Sequence, residues 1–119
     1  MERQYFGRPE RTARGGFVVE VVTGSKRVRP LNPRNDLWDH SPDGFAWGYA
    51  GSGPAQLALA LAADVLGDDA RAVRIHQGLK FALVARWDQD RPWSVTEREV
   101  RDKILEVEME RARTPASDL

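Results

Sequence analysis

The feature that most constrains this chain is the run "GFAWGYAGSGPAQLALALAAD", residues 44–64. A glycine-dense turn passes directly into a segment that is apolar on nearly every side. A helix with apolar residues all round has no face to offer water, so the spacing predicts a central helix rather than an edge one. Its start is placed with Gly53 as N-cap and Pro54 at the first helical position, where proline's missing N–H costs nothing. Gly67 closes it in the left-handed manner usual for helix C-termini. The run from Pro54 to Leu66 is far short of the roughly 20 residues that span a bilayer, so it is read as buried in protein, with no membrane role.

Two further helices have legible ends. Asp68 and Asp69 put carboxylates at an N-terminus, and the second helix is expected to run to about Trp87. Ile75, Leu79 and Ala82 form its stripe, widened by Val73, Phe81 and Val84. Gly78 interrupts it and points to close packing against a neighbour. The third helix opens with a capping box, Thr96 to Glu99, flanked by Val95 and Val100 as a hydrophobic staple. Val100, Ile104 and Val107 continue its buried side.

The first third reads differently. "FVVEVV", Phe17 to Val22, is rich in β-branched residues and is the clearest strand. Thr23-Gly24-Ser25 is a turn, Lys26 to Arg29 a returning strand stopped by Pro30, and Gln4 to Phe6 a short third strand. Residues 35–53 form a loop in which Asp36, Asp39, Pro42 and Asp43 concentrate. The fold class is therefore α+β: a two- or three-stranded antiparallel sheet on a three-helix unit, in a single domain spanning 1–119. Within it, 1–34 is the basic β-rich part, 54–111 holds the helices, and 112–119 is a frayed tail. Val19, Val21, Phe45, Trp47, Leu57, Leu61, Ile75, Leu79, Val100 and Ile104 are the expected core.

Charge separates the same two parts. The chain has 18 Lys and Arg against 18 Asp and Glu. Residues 1–34 hold eight cations and three acids, a formal +5, and the remainder carries −5. Such an asymmetry favours a polyanion or an acidic partner; its plain alternative is an Arg-rich solvated surface. The absence of Cys excludes disulfides and thiolate chemistry and fits a cytoplasmic protein.

The glycine turn has three chemical readings. Gly48 to Gly53 has the glycine spacing of a phosphate-binding loop, but Pro54 and Ala55 stand where Lys and Ser or Thr are required. The N–H groups of Gly51, Ser52 and Gly53 are still placed to hold an anion at a helix N-terminus. A nucleophile elbow fails, because Ala50-Gly51-Ser52-Gly53-Pro54 is not G-x-S-x-G. The structural alternative is a tight turn passing under packed aromatics. No metal site is expected: His40 and His76 are the only histidines, and "DLWDHSPD" matches no defensible ligand spacing. His40 is expected to bond locally in its turn, and His76 to be a partly buried structural residue. No cofactor motif is present.

The segments "SPDGFAWGYAGSGPAQLALALAADVLGDDARAVRIHQGLKFALVARW" and "WSVTEREV" carry a resemblance. They resemble a family of small uncharacterised bacterial, plasmid and phage proteins with the pattern "SPxGFxWGYxGSGPAQLALA" over roughly residues 41–100. This chain departs from it where His76 and Leu79-Lys80-Phe81 stand in place of Tyr and Phe-Lys-Trp. The resemblance implies no catalytic residue and implies mobile-element company. The expected function is thus a small non-enzymatic accessory protein that binds a host or phage protein. It would do so through Trp47, Tyr49, Gly51 and Ser52 or through the Arg-rich third. The alternative is a nucleic-acid- or phosphate-binding protein using Lys26, Arg27, Arg29 and the helix N-terminus at Gly53.

Overall fold

The computed structural model describes residues 2–113. Four strands and three helices follow in chain order. They are β1 (Gln4–Arg11), β2 (Phe17–Val22), β3 (Val28–Pro30), α1 (Ser52–Leu66), α2 (Asp69–Ala82), β4 (Trp93–Thr96) and α3 (Glu97–Arg113). The strands form one antiparallel sheet in the order β3-β2-β1-β4. The architecture is α+β as the pattern implies, with four strands rather than two or three.

The added strand is β4, which pairs with β1 from Gln4↔Thr96 to Gly7↔Trp93. It is short, follows Pro92 and ends on the residue that caps α3. Its alternation of Trp93 and Val95 inward with Ser94 outward was nonetheless visible in the sequence. At the other edge, β3 holds Val28, Arg29 and Pro30, while Lys26 and Arg27 lie in the turn before it. Pro30 is tolerated because β3 is an edge strand. The sheet extends β1 well past Phe6, to Arg11.

Inward residues from the sheet meet the helices. Tyr5, Val19, Val21 and Val95 close over α1, whose residues from Gly53 to Ala63 are all buried. All ten residues expected in the core are there. Helix α1 starts one turn's fraction earlier than its sequence suggests: Gly51 is the N-cap, and its carbonyl accepts from Ala55 N–H. Pro54 remains compatible, since every N–H of a first turn lacks an intrahelical acceptor. Gly67 ends α1 at φ 63° and ψ 23°, its N–H donating to the Ala63 carbonyl.

Helix α2 is capped by Asp68, whose carboxylate accepts from Arg71 N–H at 3.1 Å. It stops at Ala82, and a 3-10 turn, Val84–Arg86, replaces its expected last turn. The reason is local: the Val84 carbonyl turns outward to accept from Gly48 N–H, docking the glycine turn. Phe81 does not join the stripe but stands 57% exposed. Gly78 faces Val107 so closely that a Cβ there would lie 2.5 Å from Val107 Cγ1. Helix α3 opens with the reciprocal capping box, Glu99 N–H to Thr96 Oγ1 and Thr96 N–H to Glu99 Oε1. It continues through Ala112 and Arg113, two residues that the frayed-tail expectation had excluded; residues 114–119 lie outside the described ones.

Candidate binding surface

Trp47 sets the limits of the aromatic reading. It is fully buried, and its indole N–H donates to the Asp88 carbonyl. Phe17 tilts against it at 4.8 Å, Trp93 meets it edge-on at 5.5 Å, and Trp87 stacks on Trp93 at 4.2 Å. Such offset and edge-to-face arrangements belong to packed interiors. Trp47 therefore presents nothing to a partner. Phe45, two residues before it, is buried as well, and Gly48 lets the chain turn beside them at φ +87°.

The remaining turn residues do reach the surface. Tyr49 is 44% exposed, and Ser52 is exposed beside the buried Gly53. With Ser41, Arg11 and Arg14 they line a hollow of about 230 Å³. The α1 N-terminus beside it has no side-chain cap and no acidic residue in its first turn, and the Asp43 carboxylate lines the same hollow as the two arginines. Arg11 is partly engaged, donating to the Gly15 carbonyl and lying over the Phe17 ring.

The basic third separates into paired and free cations. Arg29 donates to Asp64 on α1 at 2.8 Å, Arg3 reaches the same carboxylate, and the Tyr5 hydroxyl donates to it at 2.7 Å. Arg3 also holds Glu97 at the start of α3. That guanidinium, helped by Arg3's backbone N–H, draws the Glu97 carboxyl down to about 2. Burial and the Asp64 carboxylate push the Tyr5 phenol well above its ordinary value. Arg29 is thus part of a structural hub. Lys26 and Arg27, by contrast, stand exposed on the β2–β3 turn.

One face of the sheet was not singled out by sequence. Because the helices cover only the side bearing Tyr5, Val19 and Val21, the alternate residues form an outer face. Phe6, Val18, Val22, Val28 and Pro30 lie there. Val22 is directly opposite Val28, and Phe6 opposite Glu20. Val28 is 58% exposed. The charges within this face cancel, since Arg8 pairs with Glu20 at 2.6 Å and with Glu10. The cations without an ion-pair partner among the described residues sit at its ends: Lys26 and Arg27 beyond Val22, Arg14 beyond Val18. The signal available in the sequence was the even-numbered set within "FVVEVV", where Val18 and Val22 flank a single Glu20 on a face that usually alternates to polar residues.

The loop before α1 is tied down by a residue that sequence reasoning passed over. Gln56 is fully buried; its carbonyl accepts from the backbone N–H groups of His40 and Ser41, and its amide donates to the Pro33 carbonyl at 2.6 Å. His40 does not bond within its own turn. Its Nε2 lies 2.9 Å from Nε2 of His76.

No group of three or more His, Asp and Glu among the described residues is arranged to hold a metal ion. No described helix is long and apolar enough to cross a membrane. Neither a curated protein nor a solved structure matches the chain. A family model does match, over residues 5–106, which reaches from the first strand into the third helix. The chain therefore belongs to the family of unknown function designated DUF6166.

Proposed function

We propose that this is a non-enzymatic interaction module that binds another protein through the outer face of its sheet. The observation that carries the reading is the set of apolar residues Phe6, Val18, Val22 and Val28 around the Arg8–Glu20 pair, with Lys26, Arg27 and Arg14 at its ends, exposed and without a carboxylate partner among the described residues. Apolar residues left on an uncovered sheet face support a contact site. The internal Arg8–Glu20 pair keeps the centre neutral, and Lys26, Arg27 and Arg14 favour a partner whose apolar patch is rimmed by carboxylates. The partner is a host or phage protein and the setting cytoplasmic, a reading supported by the resemblance to plasmid and phage proteins and by the absence of Cys.

A tagged pull-down from host lysate, run with and without nuclease and read by mass spectrometry, tests it. A stoichiometric protein retained after nuclease supports the reading. Loss of all partners on nuclease treatment contradicts it.

A second reading has its own support. The hollow beside the α1 N-terminus, with Arg11, Arg14, Tyr49 and Ser52, suits a phosphate group. In that reading the ligand is a nucleic acid or another phosphate-bearing molecule. Its binding would weaken steeply with salt, whereas docking on the apolar strip would not.

A further inference from the structure

The histidine pair is a titratable cluster, buried on its α2 side, that neither reading uses. His76, on α2, is 1% exposed. Its Nδ1 lies 2.6 Å from the Val73 carbonyl, and a carbonyl only accepts, so Nδ1 carries the proton. Nε2 of His76 is then a bare lone pair. The hydrogen between the two rings must therefore come from His40, whose Nε2–H donates to His76 Nε2 at 2.9 Å. Both tautomers are fixed by this chain of bonds. Trp38 stacks on the outer side of His40 at 4.8 Å.

We propose that His40 and His76 form an acid-sensitive latch that holds the loop 31–43 against α2 and opens it on acidification. One added proton is accommodated on Nδ1 of His40, because its Nε2–H still donates. A second proton can go only to Nε2 of His76, where it replaces the lone pair that accepts the bond. Two imidazolium rings then confront each other, and the bond cannot exist. The charged groups acting on the pair are Lys80 from α2 and Asp39 from the loop; α1 contributes the neutral Gln56. Burial, the Lys80 ammonium and the neighbouring ring all disfavour charge on His76, with the Val73 carbonyl opposing them. Lys80 is itself only 8% exposed and has no carboxylate in ion-pair distance among the described residues, so nothing nearby offsets the added charge.

The consequence is local because the loop has other ties. Gln56 and the Arg34–Asp69 ion pair anchor its first part. Loss of the latch frees the stretch around Trp38 to Ser41, and with it the N–H groups that Gln56 holds.

Hydrogen exchange of the loop peptide covering residues 35–43, corrected for intrinsic rate and compared with α1, tests the latch between pH 7.5 and 4, a window that extends well below the ordinary histidine range because both rings are held below it. The wild type is expected to lose about tenfold in protection in the loop while α1 is unchanged. His76→Gln keeps an acceptor, its side-chain carbonyl, that no proton in this range removes; it is expected to abolish the acid response. Unchanged loop protection in the wild type, or an equal response in His76→Gln, would overturn the proposal. Imidazole nitrogen NMR of the wild type gives a reading that needs no variant. Two coupled titration steps, with the His40 and Ser41 amide shifts following the second, support the latch; independent titrations with those amides unmoved overturn it.

Discussion

Gly7 and Trp93 face each other across the β1–β4 ladder with no room for another atom. A Cβ on Gly7 would lie 2.3 Å from Cε2 of the indole. Trp93 is pinned from its other sides by Trp87 and Trp47, so it cannot retreat without disturbing the aromatic cluster. Its indole N–H is buried without an acceptor among the described residues. Gly7→Ala is therefore expected to destabilise the protein by about 1–3 kcal/mol through overpacking. Denaturant unfolding monitored by tryptophan fluorescence measures it.

Asp64 gathers Tyr5, Arg3 and Arg29 onto one carboxylate. Asp64→Ala leaves three donors without their shared acceptor, where α1 meets β1 and the edge strand β3. A loss of about 3 kcal/mol is expected, with Tyr5→Phe costing only about 1 kcal/mol because the two arginines still satisfy the carboxylate. Equal costs for the two variants in chemical denaturation would show that the hub does not act through Asp64.

The loop before α1 depends on one side chain. Gln56→Leu removes the acceptor for His40 and Ser41 N–H and the donor to Pro33. It preserves the apolar volume, so the expected loss, about 2–4 kcal/mol, comes from orphaned backbone groups. Hydrogen exchange should rise in the loop 33–43 and not in α3.

Acid acts on Glu97 with a definite sign. Its carboxyl is lowered from 4.5 to about 2, first by the Arg3 guanidinium, then by Arg3's backbone N–H. A group with a depressed folded value binds its proton more readily in the unfolded chain. Its contribution is therefore complete above about 4.5 and is lost as pH falls toward about 2. Glu97→Gln is expected to flatten the stability profile across that window. A wild-type slope that persists in the variant would place the acid response elsewhere.

What the sequence made legible was what local rules control. Thr96 and Glu99 cap as their spacing dictates, Gly67 takes the left-handed conformation, Asp68 caps α2, and Gly78 marks a close helix contact. The apolar run around Leu57 and Leu61 is central because no other position can hide it. The rest depended on partners distant in the chain. Nothing near Asp64 announces that Tyr5 and Arg29 converge on it, and nothing near His40 announces His76, thirty-six residues on. Gln56 sits in the first turns of α1, and only the folded loop reveals its role. Trp47 shows the opposite failure. An aromatic beside a glycine turn suggests a contact surface, but the turn exists so that Trp47 can be buried under it. The outer face is not legible locally, because the β-branched run "FVVEVV" specifies a strand whichever layer covers its second face.

The most direct test of the central claim compares capture of the protein partner by the wild type, by Val28→Glu and by Ser52→Glu, after nuclease treatment. Val28 is exposed on an edge strand and Ser52 on the first turn of α1, so neither substitution enters the core, and circular dichroism checks that each variant folds. Docking on the outer sheet face predicts that Val28→Glu weakens capture by about tenfold or more, as expected for a charge placed in an apolar contact, while Ser52→Glu captures as the wild type does. Undiminished capture by Val28→Glu, with loss in Ser52→Glu, would contradict the account and move the site to the hollow at the α1 N-terminus.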